Sequence, residues 1–351
     1  MGGCWFLPLP AGAGWGEGSR QDVVVHVAIG AARPYTLRMP TLVDLSRASA
    51  RTYGDLPAMV FGGRTTTHAE FDRITDRVAA GLAARGISPG DRVGLYCVNS
   101  DAFAFAYFGI LKAGATVVPV NLLLNPKEIA YILNDAGVKG LIYFELFAEA
   151  VKAIGRQGPG GPCRVCIGSA NPLGDVPFAD LLHPDPPTPN PAISESSLAA
   201  ILYTSGTTGH PKGAMLTHHN LTANVASIRE ALQLTPGKDV LLCVLPMFHA
   251  FAATVCMLFP LTNGCAVVPV SKFDPQGIAD LIATHRVTVL PAVPSMYSVL
   301  LRLPDSEVAK FAGLNYAVSG GAAMPMEVMR QFEEKFGKLI YEGDGPTECS
   351  P

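Results

Sequence analysis

The stretch VGLYCVNSDAFAFAYFGILKAGATVVPV at residues 93–120 carries the predicted fold. Apolar, strand-like runs at 93–98 and 115–120 flank a helical segment that is capped at residues 99–100 and ended by Gly114. Two strands joined by one helix form a βαβ unit, in which the strands run parallel. This stretch therefore predicts a mostly parallel sheet with helices on both faces.

The same alternation of strands and helices continues beyond this stretch. A helix opened by Pro126 leads to a strand-like run at 138–144, and a Pro- and Gly-rich segment at 155–191 then interrupts the pattern, apart from a short strand around Val165. After this segment, helices alternate with strand-like runs at 198–203, 240–245, 266–270, 287–290, 315–318 and 338–341. We therefore predict an α/β fold with two doubly wound, mostly parallel sheet subdomains.

The composition divides the sequence into three regions. Residues 1–38 are rich in Gly, Pro, Trp and Arg without a sustained period, so they are predicted to be a disordered extension outside the fold. Residues 39–192 are predicted to hold the first α/β subdomain region. Residues 193–351 are predicted to hold the second.

Charge and hydropathy exclude two classes of partner. The 26 Lys and Arg residues against 29 Asp and Glu give a net charge of −3 without any basic block, so a nucleic-acid partner is not expected. The most apolar stretches, 102–124 and 250–261, are interrupted by polar residues or too short for a transmembrane segment.

The cysteines point to a reducing compartment. Eight cysteines without framework spacing are typical of a cytoplasmic protein rather than a disulfide-stapled secreted one. Cys163 and Cys166 form a lone C-x-x-C in a Val- and Ile-rich run, which favours ordinary strand cysteines over a redox or metal site.

The stretch YTSGTTGHPKG at residues 203–213 follows an apolar strand and has the composition of an anion-binding loop. Glycines permit backbone conformations that turn amide groups toward a ligand, Ser and Thr hydroxyls add donors, and Lys212 supplies a positive charge. A Walker A loop is excluded, because Gly213 follows Lys212 where that motif needs Ser or Thr. The stretch therefore predicts a polyphosphate-binding loop, with a Ser- and Gly-rich surface turn as the alternative.

This loop resembles the phosphate-binding signature of the adenylate-forming superfamily, which comprises acyl-CoA synthetases, nonribosomal peptide synthetase adenylation domains and beetle luciferases. The resemblance extends from about Pro40 to Pro351. Supporting stretches are FGGRTTTHAEF at 61–71, LPMFHAF at 245–251, PAVPSMY at 291–297, SGGAA at 319–323 and YEGDGPTECSP at 341–351.

The resemblance implies an ATP-dependent carboxylic acid:CoA ligase, most like a fatty-acid acyl-CoA synthetase, that uses ATP, Mg²⁺ and CoA to form an acyl-adenylate and then a thioester. It implies that Thr347 binds the α-phosphate and that Glu348 is the Mg²⁺ ligand, with Lys212 as the third catalytic residue. It further implies that the β- and γ-phosphates are held by Thr204, Ser205, Gly206, Thr207, Thr208, Gly209 and Lys212. Gly320, Gly321, Ala322 and Ala323 are then expected between the adenine and acyl pockets.

His249 is expected to line the acyl pocket, although a histidine among Phe248, Ala250 and Phe251 is by itself typical of a core residue. His210, His218 and His219 are expected to be solvent-facing or helix-start residues. Amino-acid-activating relatives carry an Asp near this region, whereas residues 247–256 have no acidic side chain. Since an unpaired buried ammonium is costly, the predicted substrate is an apolar fatty or related acid, with an aryl acid left open.

The sequence departs from the family pattern at two places. The aromatic residue of the usual Tyr-Gly-x-Thr-Glu motif is replaced by Asp344, which cannot stack on adenine. Asp344 is expected instead to accept from the adenine amino group, with a position against solvent as the alternative. Family members also continue past the position of Pro351 with a small C-terminal domain that bears an essential lysine. We therefore predict that the sequence is the large domain of a family member without the C-terminal lid domain. The alternative is a truncated, non-catalytic remnant that binds ATP and an acyl group.

Overall fold

The structure is a computed structural model that describes Cys4–Trp5 and residues 39–155, 161, 163–182, 191–204 and 210–350. Fifteen strands lie in these ranges. They are β1 (Cys4–Trp5), β2 (Pro57–Phe61), β3 (Arg64–Thr67), β4 (Arg92–Tyr96), β5 (Thr116–Pro119), β6 (Gly140–Phe144), β7 (Cys163–Ile167), β8 (Val176–Pro177), β9 (Leu198–Thr204), β10 (Lys212–Thr217), β11 (Val240–Cys243), β12 (Ala266–Pro269), β13 (Val289–Ala292), β14 (Tyr316–Ser319) and β15 (Ile340–Asp344).

Ten α-helices connect these strands within the described ranges. They are α1 (Leu42–Tyr53), α2 (His68–Ala83), α3 (Asp101–Lys112), α4 (Pro126–Asp135), α5 (Ala148–Ile154), α6 (His218–Leu232), α7 (Phe259–Thr262), α8 (Pro275–Thr284), α9 (Pro294–Leu300) and α10 (Met326–Phe336). A π-helix, Ala252–Leu258, precedes α7, and a short 3₁₀ turn, Thr347–Cys349, follows β15. None of the helices described here has both the length and the apolar character to cross a bilayer.

The strands form two sheets, as the sequence predicts. The eight-stranded sheet has the order β1-β15-β14-β13-β11-β12-β2-β3, and the seven-stranded sheet has the order β10-β9-β5-β4-β6-β7-β8. Pairing is parallel except for β1 with β15, β2 with β3, and β9 with β10, all at sheet edges. The α/β class with two mostly parallel sheets is therefore confirmed.

The two sheets exchange strands along the chain. Strands β2 and β3 belong to the eight-stranded sheet, although most strands of that sheet come from the C-terminal half. Conversely, β9 and β10 complete the seven-stranded sheet. A boundary at residues 192 and 193 therefore does not separate the sheets. The extension expected at residues 1–38 lies outside the described residues, apart from Cys4–Trp5.

The βαβ unit at residues 93–120 forms as predicted. The Ser100 hydroxyl caps α3 by accepting a hydrogen bond from the Phe103 amide at 3.2 Å, and Gly114 ends the unit's helical part with a φ of 76°. Helix α3 contacts α1, α2, β4 and β5, so it is buried on nearly all sides. One continuous apolar cluster contains residues of both sheets, such as Val117 and Val267.

The C-x-x-C cysteines are buried strand residues. Cys163 and Cys166 belong to β7, all five residues of which are buried between β6 and β8. Burial raises the pKa of both thiols, which disfavours the reactive thiolate. This confirms the interpretation as ordinary strand cysteines.

Candidate functional site

Part of the predicted site lies where parallel strands end. Strands β13, β14 and β15 pair with Ala292 opposite Ser319 and Ser319 opposite Glu342. Their carboxyl ends therefore reach the same edge of the eight-stranded sheet, next to Gly320 and Asp344. In open α/β sheets, ligands bind outside this edge.

The β9–β10 hairpin presents the two residues that flank the predicted phosphate loop. Thr204 at the end of β9 pairs with Lys212 at the start of β10. Lys212 is exposed, and no hydrogen bond or ion pair joins its side chain to another part of the chain that the structure describes. Its ammonium is therefore available to a bound anion. The predicted loop residues Ser205, Gly206, Thr207, Thr208 and Gly209 lie outside the described residues.

Gly213 has a packing role in this hairpin. It lies within β10 opposite Tyr203, and a Cβ atom there would come within 2.7 Å of the Ile201 Cγ2 atom and 3.1 Å of the Tyr203 ring. A side chain at Gly213 would therefore displace the Tyr203 ring. The last glycine of the motif is therefore explained by the lack of room for a side chain, and not by a backbone conformation needed to bind an anion.

Helix α4 holds both flanks of the predicted loop. The Tyr203 hydroxyl donates to the Asp135 carboxylate at 2.6 Å, and the Tyr131 ring stacks on His210 at 5.3 Å. Burial, followed by the nearby Asp135 carboxylate, raises the pKa of Tyr203, so its hydroxyl stays protonated and can donate. Sequence reasoning missed Tyr131 and Asp135. Their i, i+4 spacing places them on one face of the helix but does not show that this face contacts His210 and Tyr203.

The histidines near this hairpin differ in their surroundings. His210 is exposed, as expected. His218 is the first residue of α6 but is 1% exposed, and its Nδ1 atom accepts a hydrogen bond from the Leu42 amide at 3.2 Å. The expectation that it faces solvent is therefore wrong, and its helix-start position is correct. The distant element that covers it, α1, was not visible from the local sequence.

A turn at residues 320–324 follows β14. A Cβ atom at Gly320 would come within 2.9 Å of the Gly343 carbonyl oxygen and 3.1 Å of the Phe251 ring, so only glycine fits. Gly321 has a φ of 79°, which also favours glycine. The Glu342 carboxylate accepts a hydrogen bond from the Met324 amide at 2.8 Å and ties the end of the turn to β15. Sequence reasoning missed this role of Glu342.

The chain after β15 turns back toward the hairpin. Asp344 and Glu348 are exposed, and the Thr347–Cys349 turn contacts β10, the strand that begins with Lys212. The Ser350 carbonyl accepts a hydrogen bond from the Thr254 hydroxyl of the π-helix at 3.4 Å. The Thr-Glu pair and the lysine therefore belong to neighbouring segments.

Glu348 suits a magnesium ion that is completed by other oxygen ligands. Its carboxylate is exposed and has no ion-pair or hydrogen-bond partner among the described residues. The described ranges hold no cluster of three or more His, Cys, Asp or Glu side chains arranged for a metal. Mg²⁺ commonly binds through one or two carboxylates with water and substrate phosphates, so a single carboxylate fits that ion.

His249 lies in the turn after β11. Its side chain reaches solvent, yet neighbouring protein atoms desolvate the ring and lower its pKa. Phe251, two residues later, packs against Gly320. His249 is therefore two residues from a side chain that packs against the start of the 320–324 turn, and its role in the pocket stays a prediction.

The structure brings most of the predicted site residues into adjoining segments. Thr204 lies beside Lys212, the Lys212 strand contacts the Thr347–Glu348 turn, and the 320–324 turn is tied to β15. Among these side chains, no hydrogen bond or ion pair joins one to another within the described part of the chain. The exposed residues of the 320–324 turn are Gly321, Ala322 and Ala323.

Comparison with known proteins identifies the family. The AMP-binding enzyme family matches residues 46–351. The chain is 34% identical over 302 residues to a feruloyl-CoA synthase of Amycolatopsis sp., covering 86% of this chain and 58% of that protein. It is 31% identical over 353 residues to the long-chain-fatty-acid–CoA ligase of Bacillus subtilis strain 168, covering 91% of this chain and 62% of that protein. The chain thus spans about three fifths of the length of these curated relatives.

The fold agrees with solved structures. The crystal structure of the anthranilate CoA ligase AuaEII in complex with anthranoyl-AMP matches with a TM-score of 0.83 at 25% identity, covering 90% of this chain and 61% of that one. The resemblance drawn from the Tyr203–Gly213 motif is therefore confirmed. Because the family match runs over most of the sequence and the fold follows the solved relatives, the chain belongs to the AMP-binding enzyme family of adenylate-forming proteins.

Proposed function

We propose that this chain provides the ATP- and acid-binding part of an AMP-forming acid–CoA ligase. The observation that carries the proposal is the contact between β10, which begins with Lys212, and the Thr347–Cys349 turn. An exposed lysine of the seven-stranded sheet and an exposed carboxylate that follows the eight-stranded sheet, both without other side-chain partners, thereby come from neighbouring segments. Such an arrangement suits a polyphosphate with a divalent cation.

The proposed reaction has two steps. A carboxylate oxygen of the acid attacks the α-phosphorus of ATP, the bond to the β-phosphate oxygen breaks, and pyrophosphate leaves. The sulfur of CoA then attacks the acyl carbonyl carbon and AMP leaves. Both steps move negative charge onto oxygen atoms, so positioned donors and cations contribute most of the catalysis.

The chain's own residues divide this work. Thr204, the loop residues 205–209 and Lys212 hold the β- and γ-phosphates, and the Thr347 hydroxyl donates to the α-phosphate. Glu348 would hold Mg²⁺, which supplies positive charge to the phosphate oxygens when bound. Asp344 is exposed and accepts from the adenine amino group in place of ring stacking.

The acid is proposed to be apolar, either a fatty or an aryl acid. His249, Gly321, Ala322 and Ala323 would line its site. Residues 247–256 carry no acidic group to pair with a substrate ammonium, which argues against an α-amino acid. The named activities of the relatives, on feruloyl and long-chain fatty acyl groups, support these two acid classes.

Pyrophosphate exchange tests the proposal. The full-length gene product is incubated with ATP, Mg²⁺, labelled pyrophosphate and one acid at a time from fatty, hydroxycinnamic, benzoic and α-amino acid sets. Labelled ATP should form with at least one apolar acid and not with α-amino acids. Absence of exchange with every acid, in a protein shown to be folded, would overturn the proposal, and Lys212→Ala serves as the inactive control.

A further inference from the structure

Asn99 joins the two sheets at their carboxyl ends. It follows β4 of the seven-stranded sheet and is only 7% exposed. Its carbonyl oxygen accepts a hydrogen bond at 3.0 Å from the hydroxyl of Ser271, which lies just beyond β12 of the other sheet. The mechanism proposed above gives no role to this buried amide.

The Asn99 side chain bonds the turn that follows β11 at three points. Its Nδ2 atom donates to the carbonyl oxygens of Cys243 at 3.2 Å and Leu245 at 2.8 Å. Its Oδ1 atom accepts from the Met247 amide at 2.7 Å. Both donors and one acceptor of the amide are used, which fixes its orientation.

An amide is the side chain that this turn requires. Two carbonyl oxygens need a donor pair and one amide group needs an acceptor, and asparagine supplies both from a compact side chain. Aspartate has the same shape, but it would face the Cys243 and Leu245 carbonyls with a carboxylate that cannot donate. Alanine would leave all three buried backbone groups without this partner.

The turn leads directly into the acid side of the proposed site. The His249 amide donates to the Pro246 carbonyl at 2.9 Å, and the Ala253 amide donates to the His249 carbonyl at 2.9 Å, at the start of the π-helix. Phe251, between them, packs against Gly320. A shift of the turn at Met247 is therefore passed to His249, Phe251 and the Gly320 turn.

We propose that Asn99 is a positioning residue that sets the acid selectivity of the site by fixing the turn at residues 243–247. The inference rests on the proposed function, because it concerns the acid that the site accepts. Asn99 acts through His249 and Phe251, and none of its hydrogen bonds reaches the β9–β10 hairpin in the described residues. Its loss should therefore change recognition of the acid and leave recognition of ATP nearly unchanged.

Hydrogen exchange tests the turn itself, whatever the substrate. In Asn99→Asp, the peptide covering residues 244–251 should exchange about tenfold faster than in the parent, since the Leu245 carbonyl loses its donor and faces a carboxylate instead. Asn263→Asp is the matched control, because the Asn263 amide also donates two bonds, to the Phe259 carbonyl at 2.8 Å and the Thr262 hydroxyl at 3.1 Å, but only within its own helix end. Unchanged exchange at 244–251 in Asn99→Asp would overturn the inference.

Steady-state kinetics of the full-length gene product tests the consequence. Asn99→Asp should raise KM for the best acid by about tenfold and change the ratio of kcat/KM between a long and a short acid, with KM for ATP within about twofold of the parent. If kcat/KM fell equally for all acids, or if KM for ATP rose in parallel, Asn99 would have a merely structural role, and the inference would be overturned.

A milder variant covers the case in which Asn99→Asp fails to fold. Ser271→Ala removes only the hydrogen bond to the Asn99 backbone carbonyl. It should therefore raise hydrogen exchange at 244–251 and KM for the acid, but by less than Asn99→Asp does. A parent protein that activates no acid would refute the proposed function, and hydrogen exchange at 244–251 would still decide the role of Asn99.

Discussion

Lys112 and Lys212 carry the same charge in opposite surroundings. Lys112, at the end of α3, is fully buried, and its Nζ atom lies 2.5 Å from the Asp72 carboxylate, 2.9 Å from the Asp76 carboxylate and 2.9 Å from the Asp72 carbonyl oxygen. Lys212 is exposed at the start of β10, and its side chain has no hydrogen-bond or ion-pair partner in the described residues. The protein itself supplies the partners of the buried Lys112 ammonium, whereas the exposed Lys212 ammonium can bind a ligand.

The contrast separates residues of the core from residues of the site. A buried charge must be paired, because removal from water is costly, and its partners then belong to the fold. A charge that serves a phosphate gains most when the protein leaves it unpaired and positions it at a sheet edge. We therefore expect substitutions in the first group to lower stability and substitutions in the second group to lower activity.

The largest effect is expected for Lys112→Met. It leaves Asp72 and Asp76 without their buried partner, so the free energy of unfolding should fall by about 3 kcal/mol, with both carboxylates still partly open to water. Chemical denaturation measures this change. Lys152→Met is the matched control, because Lys152 pairs with Glu149 at 3.8 Å on the surface and should change stability by less than about 0.5 kcal/mol. Equal changes in the two variants would contradict the distinction.

The second effect concerns the exposed charges. Glu348→Ala should lower single-turnover acyl-AMP formation by about a hundredfold at low Mg²⁺, and raised Mg²⁺ should restore part of the rate. Lys212→Ala should weaken ATP binding at every Mg²⁺ concentration, because the lysine offsets phosphate charge directly. Neither variant should alter the denaturation midpoint.

Glu334→Gln is the control for Glu348, since Glu334 is an exposed acid that pairs with Arg330 on α10, away from the site. It should leave acyl-AMP formation unchanged. If Glu348→Ala and Lys212→Ala respond in the same way to added Mg²⁺, the separate roles proposed for them are wrong.

Much of the fold was open to prediction because it depends on local patterns. The apolar runs, the cap near Ser100, Gly114 and Pro126 mark strands and helices within a few residues of their observed bounds. Strand β15 extends beyond the run at 338–341, since its outer part pairs with neighbours instead of following an apolar pattern. The exchange of β2, β3, β9 and β10 between the sheets depends on long-range pairing, which no local pattern contains.

The candidate site was predictable where a motif names residues and unpredictable where one side chain acts through another. The motifs predicted Lys212, Gly320 and Glu348, and their roles stay predictions. The hydrogen bonds that Asp135 accepts from Tyr203 and Glu342 accepts from Met324 join residues that are not neighbours in sequence, so only the folded chain reveals them. The same holds for His218, whose burial comes from distant elements such as α1.

The third prediction uses the buried histidine to sharpen the contrast between core and site. Burial lowers the pKa of His218 from 6.5 to about 4, so between these pH values the unfolded chain binds a proton that the folded chain does not. Stability therefore falls as the pH falls, by about 2 kcal/mol between pH 7 and pH 5 from this residue.

His218→Asn should reduce that dependence, because the asparagine oxygen can still accept from the Leu42 amide but does not titrate. Urea denaturation at pH 7, 6 and 5 measures the slope. His285→Asn, at the partly exposed end of α8, is the control. A slope in His218→Asn equal to that of the parent would show that another group causes the pH dependence.

The smallest effect is expected at Asp344, where the chain departs from the aromatic residue of its family. Asp344 is exposed and has no side-chain partner in the described ranges, so Asp344→Tyr should leave the free energy of unfolding within about 0.5 kcal/mol of the parent. A ring at this position can stack on adenine, and aromatic stacking adds about 0.5–1.5 kcal/mol. The dissociation constant for ATP should therefore fall by about two- to tenfold, measured by calorimetry with Mg²⁺ present.

Asp344→Asn separates the two contributions, since it keeps an acceptor for the adenine amino group without the ring or the charge. If Asp344→Tyr binds ATP no more tightly than Asp344→Asn, adenine does not lie against residue 344, and the position proposed for the nucleotide at the end of β15 is wrong.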